Sequence, residues 1–104
     1  MTELWLKFTD SDGEPRRILV DRARFVIGRH SDCDLTIADP RLSRQHAAIE
    51  SFASVYELSD DGSSNGTDVN GTRLIGPKAL QNGDRISFGG FEAIAEVVSV
   101  QPKA

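Results

Sequence analysis

Apolar residues along this chain fall at alternate positions in short runs, and each run stops at a dipeptide suited to turning the backbone. Leu4, Leu6 and Phe8 alternate with Trp5 and Lys7. A period of two sends successive side chains to opposite faces, which is strand geometry. Asp12-Gly13 then offers a hairpin, since glycine accepts the positive φ of a tight turn. Further apolar runs follow at Ile18–Val20 and Phe25–Ile27, and Leu35 and Ile37 alternate with Asp34 and Thr36. Beyond Val55–Leu58, the pairs Asp61-Gly62, Asn65-Gly66, Asn70-Gly71 and Asn82-Gly83 break residues 60–84 into turns and very short strands. Ile86 and Phe88 precede Gly89-Gly90, and a longer last strand is predicted from Phe91 to Val100. About ten short strands with frequent turns predict an all-β protein, an antiparallel sandwich or barrel.

One segment points elsewhere. Asp39-Pro40 is a helix start by local chemistry, an N-cap residue followed by proline at the first helical position, and Ala47-Ala48-Ile49-Glu50 would continue it. Propensity alone predicts a helix across Arg41–Phe52.

A chain of 104 residues is long enough to close one hydrophobic core. With no internal repeat or second boundary, it is expected to form one domain over residues 1–100. The polar Gln101-Pro102-Lys103-Ala104 would be a tail or linker. The single cysteine, Cys33, excludes an internal disulfide, and neither a signal-like start nor a membrane-length apolar stretch is visible, so a cytoplasmic protein without membrane contact is expected.

The net charge of −4 argues against a general nucleic-acid binder. Between Arg22 and His46, however, five arginines stand against three aspartates, a cationic patch on an acidic body. Such a patch suits a small anionic ligand better than a long polyanion.

Three pieces carry candidate chemistry: Gly28-Arg29 after an apolar run, Ser43-Arg44-Gln45-His46 in the basic stretch, and Ser63-Ser64-Asn65-Gly66-Thr67 followed by Asn70-Gly71. Arginine makes bidentate charge-assisted bonds to phosphate, and hydroxyls and loop N–H groups donate to the remaining oxygens. Asparagine can hold an extended peptide through both a main-chain N–H and a C=O. Taken singly, each piece also fits an ordinary turn, loop hydroxyl or structural histidine.

Their order and spacing resemble the signature of the forkhead-associated (FHA) domain family. Asp34-Leu35-Thr36-Ile37 before the motif serine and Gly83-Asp84-Arg85-Ile86-Ser87-Phe88-Gly89 near the end resemble it as well, so the likeness covers about residues 4–98. The resemblance implies an eleven-stranded antiparallel β-sandwich of two sheets with binding loops at one end. It also implies that His46 opens a strand, against the local helix signal. The implied partner is a phosphothreonine-containing protein or peptide, bound by a monomer without metal or cofactor. Carried over by position, Arg29 would grip the phosphate and Ser43 would donate to it. Arg44 and Ser64 would add contacts to the phosphate or nearby peptide, with Ser64 standing where many members have threonine. Asn65 would hold the peptide main chain, while Gly28, His46, Gly66 and Asn70 would brace the loops. The family seats the threonine methyl in a small apolar recess and often reads the third residue after the phosphothreonine from the loop before the motif serine. Arg41 occupies that loop, and an acidic residue is the expected preference.

Two rivals have different discriminators. Ser43, His46 and Asp39 contain the residue types of a hydrolytic triad, but all lie within eight residues and no Gly-x-Ser-x-Gly elbow is present. Cys33 with His30 or His46 lacks a zinc-ligand spacing, and the glycine-rich stretch 62–71 lacks the Lys-Ser/Thr of a nucleotide loop. No catalytic residue is therefore expected. A phosphate-independent interaction domain of the same fold is the second rival, separable by binding one peptide in phosphorylated and unphosphorylated forms.

Overall fold

Alternation is the force that shapes the molecule. In the computed structural model, which describes residues 1–100, Leu4 and Leu6 are fully buried while Trp5 between them is half-exposed. The predicted tail 101–104 lies outside the described residues. Eleven strands follow in order: β1 (Thr2–Thr9), β2 (Pro15–Leu19), β3 (Arg24–Gly28), β4 (Leu35–Thr36), β5 (Ala47–Phe52), β6 (Val55–Asp60), β7 (Thr67–Val69), β8 (Thr72–Arg73), β9 (Lys78–Ala79), β10 (Arg85–Phe88) and β11 (Phe91–Ser99). They form a six-stranded sheet, β2-β1-β11-β10-β7-β8, and a five-stranded sheet, β4-β3-β5-β6-β9. The inner faces pack into one core.

Cross-strand partners set the thickness of that core. On one sheet Leu6 sits opposite Ala95, and Ile86 lies between Ala93 and Val69. On the other, Ile49 is paired with both Phe25 and Leu58, and Ile27 with Ala47. Large residues beside alanines leave room for the facing layer, and all of these side chains are at most 2% exposed.

The pairing is antiparallel except at one place. β4 runs parallel to β3 through Ile27↔Leu35 and Gly28↔Thr36. A parallel neighbour normally needs a long crossover. Here β4 is a two-residue edge strand, and the intervening chain coils tightly, with the Cys33 N–H donating to the His30 carbonyl at 3.0 Å.

The local helix signal at Asp39 yields one hydrogen-bonded turn and no helix. The Asp39 Oδ1 accepts the Arg41 N–H at 2.9 Å, and the Asp39 carbonyl accepts the Leu42 N–H at 3.0 Å. The turn goes no further, because the Ser43 N–H goes to His46 Nδ1 and the His46 N–H to the Ile27 carbonyl. Residues 47–52 are strand β5, whose inward Ala47 and Ile49 sit in the core.

Candidate functional site

The loops after β3, before β5 and after β6 meet at one end of the sandwich, stitched together by backbone bonds. The Arg29 N–H donates to the Ser43 carbonyl at 3.0 Å and the His30 N–H to the Arg44 carbonyl at 3.1 Å. Gly28 permits this approach: a Cβ there would collide with the Arg44 carbonyl oxygen.

His46 ties the third loop to the second. Its ring is fully buried beside Phe88, the two centroids 5.9 Å apart and nearly perpendicular. Nδ1 accepts the Ser43 N–H at 3.1 Å, which leaves the proton on Nε2 to be donated to the Gly66 carbonyl at 2.9 Å. Both ring nitrogens are thereby engaged with main chain. Gly66 holds φ +84°, and the Arg73 guanidinium lies where a side chain would project. Asn70, at φ 53°, donates from its amide to Asp84 and accepts the Arg85 N–H, both at 3.0 Å, and so braces the β7–β8 turn rather than the ligand surface.

The chemistry sits on top of this frame. The Ser43 Oγ accepts the Ser64 N–H at 3.0 Å, which keeps its own proton available to an incoming oxygen. Ser64 and Asn65 are exposed on the facing loop. The Asn65 amide donates to the Arg41 carbonyl at 2.8 Å, leaving its Oδ1 to accept a main-chain N–H. Arg29 is held by its Nε on the Leu42 carbonyl at 3.1 Å, so the far end of its fork faces outward.

Charge pairing separates these arginines from the rest. Arg16, Arg17, Arg22, Arg24, Arg41, Arg73 and Arg85 each have a carboxylate within 4.0 Å. Among the described residues Arg29 and Arg44 are the arginines that have none, and both are exposed. Arg41 is among the paired ones. Its guanidinium grips Asp39 through Nη2 at 2.7 Å and Nε at 3.0 Å, a forked pair that holds the Asp39 carboxyl down at about 2. The Arg41 guanidinium thus has a carboxylate partner within its own loop.

Sequence reasoning missed the anchor of the third loop. Asp60 accepts the Ser63 N–H at 2.8 Å, the Ser63 hydroxyl at 2.5 Å and the Thr67 hydroxyl at 2.7 Å, and the Ser63 Oγ in turn accepts the Gly66 N–H. Burial pushes the Asp60 carboxyl up, but these donors outweigh it and hold it below the ordinary 3.8. The signal was present as Asp-x-x-Ser, an aspartate followed by a hydroxyl residue in a turn. Cys33 also belongs to the frame. Desolvation pushes its thiol up, and the Sγ donates to the Arg44 carbonyl at 3.1 Å.

A two-sheet sandwich with a rigid, cation-bearing cluster of loops at one end defines a binding module. The sequence model of the FHA domain matches residues 25–89, and the chain belongs to that family. It is 40% identical over 78 residues to an oxoglutarate dehydrogenase inhibitor of Corynebacterium jeikeium, covering 75% of this chain and 54% of that protein. The glycogen accumulation regulator GarA of Mycolicibacterium smegmatis is 35% identical over 78 residues, 75% of this chain and 49% of its own. The chain therefore spans about half the length of these relatives. Among solved structures, an FHA domain from a study of phosphothreonine-dependent FHA interactions superposes with a TM-score of 0.82 at 30% identity, covering 97% of this chain and 99% of that one.

Proposed function

We propose that this domain is a phosphothreonine-dependent, non-catalytic interaction module that docks on a phosphorylated segment of a partner protein or of a longer chain of its own, in serine/threonine kinase signalling. The observation that carries the reading is that the arginines without a carboxylate adjoin Ser43, Arg29 through its N–H on the Ser43 carbonyl and Arg44 as the next residue, and that the Ser43 hydroxyl is already oriented by the Ser64 N–H. A phosphate dianion would replace the missing counter-charge and take up donors that have no partner of their own. Arg29 would grip it, Ser43 and Ser64 would donate hydroxyl protons, Arg44 would add charge at the rim, and Asn65 Oδ1 would receive a peptide N–H. Arg41 would contribute through its carbonyl, which fixes Asn65. Arginine-based capture of phosphorylated motifs is a recurrent binding mode. FHA relatives of this fold were solved in the setting of phosphothreonine-dependent interactions, and Mycobacterium tuberculosis EmbR in complex with a low-affinity phosphopeptide.

An enzyme reading is disfavoured by the same geometry. His46 has no nitrogen to offer a substrate, and the Cys33 thiol is held protonated. The functional unit is residues 1–100, a monomer in the cytoplasm without a cofactor.

The test is calorimetry with one peptide in four forms: phosphothreonine, phosphoserine, threonine and glutamate. Binding is expected only for the phosphorylated pair, with phosphothreonine ahead by roughly 0.8 kcal/mol for its extra methyl. Equal binding of the unphosphorylated peptide would replace this reading with a phosphate-independent one.

A further inference from the structure

β8 forms the outer edge of the six-stranded sheet and is only two residues long, Thr72 and Arg73, both exposed. It puts no side chain into the core, so packing does not account for its place in the fold. Its geometry carries one side chain back over the third loop. The Asn70-Gly71 turn reverses the chain and sets Arg73 opposite Asp68. The Leu74 N–H then donates to the Thr67 carbonyl at 2.8 Å, which extends the ladder one rung toward Gly66.

From that position the Arg73 guanidinium lies against Gly66, where a Cβ would collide with Nη1 and Cζ. Its Nε donates to Asp68 Oδ1 at 2.6 Å, a charge-assisted bond between facing residues of the two strands. Other sides of Gly66 are held by hydrogen bonds. Its N–H donates to Ser63 Oγ at 2.9 Å, and its carbonyl accepts from His46 Nε2 at 2.9 Å and from the Gly89 N–H at 3.0 Å. Arg73 covers a side that these bonds leave open. Glycine has no side chain of its own to restrict it there, so the guanidinium supplies the missing wall.

We propose that Arg73 is a positioning residue for phosphopeptide binding: clamped to Asp68, it holds Gly66 in place and thereby fixes the neighbouring Asn65, whose Oδ1 receives the main chain of the ligand. The proposal rests on the phosphothreonine reading above and adds to it a residue that acts through Asn65 without touching the peptide. Within the described residues the Asn65 side chain has one hydrogen bond, to the Arg41 carbonyl, so its aim depends on the main chain that carries it. Without the clamp, this stretch would have to be ordered when the peptide binds, and that cost appears as lost affinity.

The experiment is a double-mutant cycle read by calorimetry with one phosphothreonine peptide, on wild type, Arg73→Ala, Asn65→Ala and the two combined. Melting curves first establish that each variant is folded at the titration temperature. Arg73→Ala is expected to weaken binding about two- to tenfold, the range for ordering one side chain on association. In the Asn65→Ala background the same substitution should change affinity by less than about twofold, since the group it positions is gone. Arg73→Lys keeps the charge but loses the planar fork, so it should behave as Arg73→Ala does. Asp68→Asn keeps Arg73 but loosens its anchor, and should weaken binding in the same direction. Losses that add in the combined variant would mean that Arg73 contacts the peptide itself, and full affinity in Arg73→Lys would mean that it acts by charge at a distance. Either result overturns the proposal, as does unchanged affinity in Arg73→Ala. All three leave the phosphothreonine reading standing, whereas wild-type binding that ignores phosphorylation removes both.

Discussion

At the scale of single residues, what distinguishes the arginines of this domain is whether they already have a partner. Arg29 does not, and Arg41 does. Replacing Arg29 with alanine is expected to weaken phosphopeptide binding by roughly 2–5 kcal/mol, because a dianion partly removed from water loses its main counter-charge. Arg41→Ala, tested with an alanine-flanked peptide, should cost less than about 1 kcal/mol, since an exposed pair contributes little and Asp39 is merely freed. Calorimetry of the two variants, with circular dichroism to show intact folds, checks the contrast; equal losses would contradict it. Asp60 acts at the same scale through stability. Its folded carboxyl is held below the ordinary 3.8, so its contribution is complete above that value and is lost as pH falls through the lower folded one. Asp60→Asn should therefore destabilise the protein at neutral pH by about 1–3 kcal/mol, the usual cost of leaving buried donors unmatched. Denaturant titrations should show that gap narrowing at pH values below 3.8.

Among the elements, the β5–β6 hairpin shows where reading from sequence stops. Phe52 pairs with Val55 across Ala53-Ser54, and both turn residues hold positive φ, 50° and 64°. A two-residue turn of this kind favours Asn-Gly, so nothing in Ala-Ser announces it. Substituting Ala53→Asn together with Ser54→Gly is expected to relieve roughly 1 kcal/mol of left-handed strain. In a domain of this size that should raise Tm by about 4–8 °C in a calorimetric scan. Binding should not change, because the turn lies at the far end of β5 from His46. The other strand ends were legible where glycine marked them, as at Asn70-Gly71. β4 was legible as alternation, but its parallel pairing depends on a coil between Arg29 and Asp34 that local pattern does not encode. The helix suggested by local chemistry at Asp39 does not form, since the contacts of His46 leave only a single turn there.

For the whole molecule, motif spacing named the candidate residues, and the folded contacts show which of them lie together. Arg29, Ser43, Arg44, Ser64 and Asn65 do gather on adjoining loops, and Gly28, His46 and Gly66 do lie beneath them, with Asn70 set apart at its turn. The Arg41–Asp39 pair and the Asp60 hub each depend on a partner fixed by folded geometry, so sequence could name the residues without their states.

The pairing of β1 with β11, inside the six-stranded sheet, bears on how this module can be rewired. Thr2 lies across from Ser99, and the Val100 N–H donates to the Met1 carbonyl at 2.8 Å. Residues 1 and 100 thus lie side by side, at the end of the sandwich remote from the loops that follow β3 and β6. A circular permutant that joins residue 100 to residue 1 through a short glycine-serine linker, and opens between Ala53 and Ser54, keeps every strand and every loop of the site. Neighbouring ends and an exposed turn are the usual conditions for such a permutation to fold. Its affinity for the phosphothreonine peptide is expected to match the parent within about twofold, a difference of roughly 0.4 kcal/mol. The binding surface would then be portable, carried by a chain whose beginning and end have been moved to the tip of a different hairpin.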